Sequence, residues 1–440
     1  MSQETPVHPE PYIPADRTVS EITVRALVLG GILSIVMGAA NTYLGLYAGM
    51  TVAASIPAAV ISMAILRGLM KTGSILENNI VQTMASTGES LAAGVIFTVP
   101  ALVMIGAWQD FKFWPTTLIT MLGGLLGIIF MVPMRKALIV DRPDLVYPEG
   151  VACAEVLTVG EEKGTGIRFI VQGVVVGGLF KLLVNAFQAV QVVVEGAIAK
   201  GRTVLYMGSD MSVALMAVGY IVNLQIAALI TLGGAIGWLV AIPILGGYEG
   251  GSTVDHAFDL WSSQVRYIGV GTMLVGGLWS IVNVRKGIVA GLTGLGKVRG
   301  GAEGGVLRTE RNIALHWLLG IFLLTTFATF LFYDYLVDHI GIAALTAALM
   351  VFTAFLFVAV ATYIAGLVGS SNSPVSGMTI CALLIAAGVM LALGIRGESA
   401  ILATLGIAGV VCCATCTSGD VAQDLKTGLL VGATPAKQQW

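Results

Sequence analysis

The sequence predicts an all-α fold, a polytopic transmembrane helical bundle with re-entrant or broken helices and an internal repeat. Of the 440 residues, 56% are hydrophobic and only 11% are charged, whereas soluble domains carry about 25% charged residues. The apolar runs are about 20 residues long, which is the length that crosses a bilayer as a helix. Two stretches of the chain also resemble each other, which indicates the repeat.

The composition excludes several other classes of protein. The net charge of −2, with no basic tract, gives no indication of nucleic-acid binding. The five cysteines lie in or beside apolar segments, unlike the disulfide framework of a secreted protein. Residues 1–21 form a polar tail without the apolar core of a signal peptide. We therefore expect the first span to direct the chain to the membrane.

The apolar runs predict the order of the spans. The run at 209–246 is too long for one straight crossing and is predicted to form two elements. The segment 144–160 is too short and too acidic to span, so we predict a re-entrant helix with Glu149 and Glu155 near its ends. The other predicted spans are 22–46, 51–69, 77–107, 115–134, 167–195, 264–284, 312–336, 341–369, 376–394 and 399–417.

Polar side chains occupy one face of the predicted helix 77–107. At 100° per residue, Asn78, Gln82, Ser86 and Glu89 fall within an arc of roughly 80°. A carboxylate such as Glu89 within a span costs at least about 2.5 kcal/mol unless it faces water, a partner or the bundle interior. We therefore predict that this face lines a translocation path. A helix packed by amide hydrogen bonds is the alternative.

A lysine is predicted near the middle of the span 167–195. Lys181 shares a helical face with Asn185 and Gln188. Lysine at this depth normally faces a partner or a cavity. We predict that Lys181 balances Glu89 or Asp420 when these carboxylates are ionised.

Three pairs of segments form a weak internal repeat. GMTVAASIPAAVISMAIL from Gly49 resembles GMTICALLIAAGVMLAL from Gly377, ASTGE resembles TCTSGD, and TVPA resembles ATPA. Their separations of 328, 331 and 335 residues keep a steady register, which makes Glu89 and Asp420 equivalent. In transporters such repeats place the substrate site between the two copies. Chance similarity between apolar helices is the alternative.

The repeat divides the chain into a polar tail, 1–21, a first membrane copy, 22–340, and the beginning of a second, 341–440. Because the second copy is much shorter, we expect the chain to be part of a longer protein. The sequence leaves open whether the copies are parallel or inverted. The basic loops 135–168 and 285–311 are both predicted to be cytoplasmic by the positive-inside rule, and so is the N-terminus.

The stretch GSSNSPVSGMT at 369–379 forms a polar break between two apolar runs. Pro374 disfavours helix before it, and unwound backbone can bind a substrate or an ion. A plain interhelical loop is the alternative. The candidate residues of the break are Asn372, Ser373 and Ser376.

Beyond the last predicted span, several polar residues fall on one helical stripe. Asp420 is predicted to line the path because it is equivalent to Glu89, and Gln423 follows it on the stripe. Asp424 and Lys426 are interpreted as a solvated helix end. The candidate path residues are thus Asn78, Gln82, Ser86, Glu89, Glu149, Glu155, Lys181, Asn372, Ser373, Ser376, Asp420 and Gln423.

Neither catalysis nor a cofactor is indicated. The Tyr-Asp and Gly-Asp pairs at 333–334 and 419–420 superficially resemble intramembrane aspartyl proteases, but Thr417 replaces a required glycine. The sequence also lacks a phosphate-binding Walker loop, which argues against an ATP-driven pump. Small buried thiols explain Cys412 and Cys416 better than metal ligation does. Because no histidine lies at mid-span, we expect carboxylates to handle any coupling proton.

Four motifs, ENNIVQTMASTGE, YPEGVACAEVL, GSSNSPVSGMT and SGDVAQDLKTGLLVGATPAKQQ, resemble the bacterial branch of the oligopeptide transporter superfamily. The resemblance covers nearly the whole chain, and the superfamily includes the yellow stripe-like metal-chelate transporters. It implies two similar halves and proton-coupled uptake of small peptides across the bacterial inner membrane. A metal-chelate importer is the alternative, and a passive channel is a further one. The implied partners are the substrate, protons, the lipid bilayer and, as a candidate, a second copy of the chain.

Overall fold

A computed structural model gives the structure of residues 10–48, 51, 53–161, 166–185, 187, 191, 193–211, 216, 224–269, 271–272, 275–276, 279, 307–337, 339–371 and 373–440. Helices make up nearly all of the regular structure in these ranges. Eight of the helices described are long and apolar enough to cross a membrane. The predicted class, a polytopic helical bundle, is confirmed.

The elements are numbered here along the chain. Four α-helices continue directly into π-helical segments, which cover Ala64–Leu69, Lys136–Val140, Ile236–Ala241 and Trp261–Val265. A short 3-10 helix covers Arg308–Glu310. The series is α1 Val24–Ala48, α2 Ser55–Met63, α3 Ile75–Ile96, α4 Val99–Met104, α5 Phe113–Arg135, α6 Pro148–Glu161, α7 Gly166–Asn185, β1 Val193–Lys200, β2 Thr203–Asp210, α8 Leu224–Ala235, α9 Ile242–Leu245, α10 Thr253–Leu260, α11 Leu315–Val337, α12 Ile340–Val368, α13 Val375–Ala392, α14 Glu398–Val431 and α15 Pro435–Gln439.

The chain forms two compact units, one of Met1–Gly164 with Gly276–Trp440 and the other of Thr165–Val275. In the second unit, β1 and β2 form an antiparallel hairpin closed at Lys200 and Thr203. The predicted spans 167–195 and 209–246 are therefore wrong where they include strand. β-branched and aromatic residues on either side of a Lys-Gly-Arg turn favour the hairpin over a continuous helix.

Glu195, on β1 of the hairpin, has a hydrogen-bond partner on β2. The Tyr206 hydroxyl donates a hydrogen bond of 2.8 Å to Glu195 Oε2. Burial and this neighbouring carboxylate raise the pKa of Tyr206 to about 12. Glu195 therefore has a local partner within the hairpin.

Helix α14 is the central element of the first unit and packs against α3, α5, α6, α12 and α13. Its 34 residues correspond to a length of about 51 Å. Glycines on its neighbours allow the close approach: a Cβ at Gly94, Gly123 or Gly127 would collide with α14. The predicted end of this span at residue 417 is wrong, because the helix continues to Val431 and ends at Gly432, whose φ is 81°.

Two other predicted spans differ from the expected single, full-length helix, although the stretch Ile75–Met104 is long and apolar enough to cross a membrane. Helix α2 with its π-helical extension covers Ser55–Leu69, which is shorter than a full membrane-spanning helix. Because Arg25 at the start of α1 bonds Glu77 at the start of α3, the chain returns to the same side through this shorter helix. The stretch 77–107, predicted as one helix, breaks at Thr98, where α4 begins. Pro100 lies in the first turn of α4 and cannot donate a backbone hydrogen bond to a continuing helix. The predicted span 264–284 lies largely outside the described residues.

The segment before α1 packs against the C-terminal end of α14. The backbone N–H groups of Tyr12 and Ile13 donate to the carbonyl groups of Leu430 and Val431, at 2.9 and 3.1 Å. These carbonyls have no partner within the helix, so the contact satisfies its end. Nearby, Glu21 accepts hydrogen bonds from the Thr434 N–H and hydroxyl groups.

Candidate functional site

A cavity of about 150 Å³ lies where α3, α14 and the break between α12 and α13 meet. Glu89 contributes a carboxyl group from α3, and Asp420 contributes one from α14. The other lining residues are Thr51, Ala93, Phe97, Ser370, Ser371, Ser373, Val375, Ser376, Thr415, Cys416 and Gly419. Ligand pockets usually measure about 300–1,000 Å³. This volume therefore suits an ion and water better than a whole peptide.

The two carboxyl groups of the cavity lie close together in the protein interior. Glu89 is 4% exposed and Asp420 is 6% exposed. The Asp420 side chain contacts the carboxyl group of Glu89 and the hydroxyl group of Ser370. The backbone N–H of Ala54, at the start of α2, donates to Glu89 Oε2 over 3.4 Å. This weak neutral contact does little to offset a buried charge.

The carboxyl groups of Glu149 and Asp424 also act on Glu89 by charge. None of the salt bridges among the described residues includes any of these three acids or Asp420. Buried carboxylates in contact repel one another unless a proton or a cation lies between them. The site is therefore chemically suited to bind a proton or another positive group.

The break begins where α12 ends, at Gly369, whose φ is 92°. Glu149 accepts hydrogen bonds from the backbone N–H groups of Ser370 and Ser371, both at 3.1 Å, and from the Ser370 hydroxyl at 2.5 Å. In turn, Ser371 Oγ accepts a hydrogen bond of 3.0 Å from Ala53 N–H, before α2. The non-helical segments before α2 and α13 thus meet beside the cavity, where their backbone groups find polar partners.

Glu149 reaches the break because the chain turns sharply just before α6. Tyr147 is fully buried and has a φ of 55°, which is unusual for an aromatic residue. Its backbone N–H donates to the Gly366 carbonyl at 2.9 Å. Farther along, Gln423 accepts from Gly150 N–H at 2.8 Å and donates to the Ala365 carbonyl at 2.7 Å. α6, α12 and α14 are thereby joined around the break.

A second group of polar residues continues from the carboxyl pair along the interface between α3 and α14. Ser55 donates a hydrogen bond of 3.0 Å to Asp424, which Gln82 and Ser86 also contact. Asp424 also lines a separate cavity of about 340 Å³, together with Thr83, Thr87 and Gln438. Carboxyl groups therefore line cavities in two successive parts of this interface.

Most of the predicted path residues come together in the first unit. Glu89, Ser373, Ser376 and Asp420 line the smaller cavity, and Glu149 and Gln423 hold the segments beside it. Gln82 and Ser86 contact Asp424 between α3 and α14. Asn78 lies toward α2, where it accepts a hydrogen bond of 2.6 Å from Ser62.

The remaining predicted path residues, Glu155, Lys181 and Asn372, are not placed with this group. Glu155 is exposed. Lys181 lies on α7 in the second unit, and its side chain is outside the described part, as is the whole of Asn372.

Asp424 is a buried acid of the site that is not among the predicted path residues. It was interpreted as part of a solvated helix end, but it is 2% exposed. Its spacing of four residues from Asp420 places it on the same helical face, and this could have indicated the position. Lys426, interpreted in the same way, is half-buried and lines a different cavity.

Helices α3 and α14 run antiparallel where they touch. Ser90 Oγ lies 3.4 Å from Thr417 Oγ1, and farther along α3 the backbone of Gly94 packs against Cys413. Residue numbers thus rise along one helix as they fall along the other. In addition, α1 packs along α3 as α12 packs along α14.

Comparison with known proteins gives consistent matches. The family described as "OPT oligopeptide transporter protein" matches residues 21–440. A protein of Haemophilus influenzae named "Putative oligopeptide transporter" is 36% identical over 421 residues, which cover 90% of this chain and 66% of that protein. A Saccharomyces cerevisiae protein with the same description is 30% identical over 186 residues, 36% of this chain and 25% of its own length. The chain thus spans just under two thirds of the bacterial relative.

Proposed function

The chain belongs to the oligopeptide transporter family, and from that premise we propose that it is a secondary active transporter that couples the uptake of small peptides to protons. The observation that carries this proposal is the buried pair of carboxyl groups, Glu89 and Asp420, which face one cavity. No lysine or arginine among the described residues forms a salt bridge with either acid.

The carboxyl pair is the proposed proton-binding site. A proton held by one acid removes the repulsion between two buried negative charges, and its release restores that repulsion. Protonation can therefore favour one arrangement of α3 and α14 over another, which is what coupling requires. The family relationship supports peptides as the substrate. The volume of about 150 Å³ supports assigning the cavity to the coupling ion and not to the whole peptide.

The proposed transport cycle uses an inverted repeat. α3 and α14 contain the equivalent residues Glu89 and Asp420 and touch in antiparallel orientation. Two equivalent, antiparallel helices are expected when the copies are related by an axis in the membrane plane. In transporters of this kind, one copy moves against the other around a fixed site. This supports placing the path between the copies.

Uptake into proteoliposomes tests the function. With tri- and tetrapeptides outside, an inward proton gradient is expected to drive accumulation that collapses when a protonophore is added. Asp420→Asn should lose this accumulation, whereas the matched control Glu398→Gln, an exposed acid at the start of the same helix, should keep it. Competition by iron chelates instead of peptides would identify a metal-chelate importer. Equilibration without accumulation would identify a channel and contradict the proposal.

We also propose that the chain lies in the bacterial inner membrane with a cytoplasmic N-terminus, because the loops 135–168 and 285–311 are basic. Labelling with an impermeant maleimide tests this, since the five native cysteines are buried. The segment 247–262, which lies between the two basic loops in the chain, is expected to be external. A cysteine introduced there at the exposed Asp255 should react from outside in intact cells, and one at the exposed Asp141 only after lysis. The reverse result would overturn the orientation.

A further inference from the structure

A further cavity among the described residues, of about 880 Å³, has no part in the site described above. It lies in the first unit, beside the π-helical end of α5 and the last two turns of α14. Most of its wall is apolar, with Ile139, Val140, Leu429 and Leu430 among the lining residues. Three cations, Arg135, Lys136 and Lys426, also line it, against the two acids Glu10 and Glu310.

Arg135 is a buried cation with no acid in direct contact, although Glu310 acts on it by charge from a greater distance. It is 3% exposed, and among the described residues no acid lies within ion-pair distance of it. Its Nη atoms reach only neutral acceptors, Asn312 Oδ1 and the Thr309 carbonyl, both at 3.4 Å. Its Nε has no hydrogen-bond partner in the described residues. Charged hydrogen bonds normally measure about 2.7–2.9 Å, so the guanidinium group is poorly satisfied.

We propose that this cavity binds an anionic phospholipid, with its phosphate on Arg135, Lys136 and Lys426 and its acyl chains along the apolar wall. A phosphate oxygen would supply the acceptor that Arg135 lacks and would offset the cost of its burial. Arg135 and Lys426 lie near the C-terminal ends of two helices that are long and apolar enough to cross a membrane, and cationic side chains near such ends can reach lipid headgroups. The apolar wall distinguishes this site from one for a free anion.

The position also agrees with the orientation proposed above. Arg135 and Lys136 stand at the start of the basic loop that we place in the cytoplasm. Anionic lipids attract basic pockets between helices on that side of a membrane. The lipid site itself rests on the cavity and its cations, and it does not depend on which substrate is transported.

Thermal unfolding of the delipidated, detergent-solubilised chain tests the proposal. Phosphatidylglycerol is expected to raise the melting temperature, whereas phosphatidylcholine and inorganic phosphate at equal concentration should have little effect. Native mass spectrometry should detect phosphatidylglycerol retained on the chain. Equal effects of the two lipids would overturn the site. A full effect of inorganic phosphate would identify a free-anion site and would also overturn it.

Substitutions locate the effect at this cavity. Lys136→Gln combined with Lys426→Gln changes an exposed and a half-buried side chain, which should leave the fold intact. It should weaken phosphatidylglycerol binding about tenfold or more, since each cation near the headgroups contributes about 1 kcal/mol. Arg135→Gln should weaken it at least as much. Lys112→Gln, a cation at the opposite end of α5, is the control and should bind normally. Unchanged binding in the double variant would refute the proposal.

Discussion

Two buried carboxylate sites of the first unit differ in the presence of cations. The side chain of Glu21 is 1% exposed and lies 3.4 Å from Arg308 and 3.3 Å from Lys437. Glu89 and Asp420 are nearly as buried, at 4% and 6%, but form no salt bridge in the described part of the chain. Burial alone therefore does not separate a structural carboxylate from a functional one. We propose that the charge of its partners does.

Helix α3 carries both kinds of carboxylate. Near its start, Glu77 accepts hydrogen bonds from Arg25 at 2.9 and 3.0 Å and from Thr23 at 2.6 Å. Glu77 also forms a capping box with Ser74, which satisfies donors at the helix start. Glu89, three turns later, has none of these partners. The first acid begins the helix, and the second is available for a proton.

The largest expected effect is the loss of gradient-driven accumulation in Glu89→Gln. Glutamine keeps the size of the side chain but cannot release a proton, so it resembles the permanently protonated acid. Accumulation should be abolished while exchange across the membrane partly remains, and the free energy of unfolding should change by less than about 1 kcal/mol, as at sites without a broken pair. Uptake and counterflow in proteoliposomes measure this. Normal accumulation would make Glu89 a structural residue.

Glu21→Gln should produce the opposite pattern. The substitution leaves Arg308 and Lys437 without their anion, and breaking a buried pair costs about 3–5 kcal/mol. Because Lys437 is half-exposed, we expect a loss near the lower end, about 3 kcal/mol. Chemical unfolding in detergent measures it, with Glu398→Gln as the exposed control. Transport per folded molecule should be unchanged. A specific transport defect in a stable Glu21→Gln protein would remove the distinction between the two sites.

The sequence could predict the polar face of α3, the break and Asp420, because buried polar groups in a span have few stable places. It could not predict the ion pairs of Glu21, whose partners Arg308 and Lys437 are 287 and 416 residues away along the chain. It also misplaced Asp424, since the burial of α14 up to its end depends on tertiary packing.

Glu155, another predicted path residue, is exposed and does not line the cavity. It lies six residues after Glu149 on α6, and at 100° per residue the two point in different directions. Nearness along the chain did not bring it to the cavity.

A third prediction concerns the close packing that brings the carboxyl pair together. A Cβ at Gly94 on α3 would lie 2.6 Å from the Cα of Cys413 on α14. Gly94→Ala should therefore push the helices apart and cost about 2 kcal/mol. It should also impair transport, unlike Glu21→Gln, because it separates Glu89 from Asp420. Unfolding and uptake assays on the same preparation measure both effects.

The control for this packing prediction is Gly320→Ala on α11, where a Cβ has open space. Because alanine favours helix, this variant should be as stable as the native chain or slightly more stable. If Gly94→Ala were equally harmless in both assays, the carboxyl pair would not depend on the contact between α3 and α14.

The smallest change in the free energy of unfolding is expected where a carboxylate forms an ion pair that is exposed to solvent. Arg142 and Asp144 are bonded at 2.6 Å, with side chains 38% and 56% exposed. The guanidinium group holds the pKa of Asp144 below its ordinary value of 3.8, so the pair stabilises the fold above about pH 4 and loses this contribution as the pH falls through the lowered pKa. Solvent screening limits it to less than about 1 kcal/mol.

Asp144→Asn should show this small loss at neutral pH and none in strong acid. A double-mutant cycle with Arg142→Gln isolates the pair from the contact of Arg142 with the Tyr363 ring. A coupling as large as the loss in Glu21→Gln would mean that burial does not control the strength of these pairs.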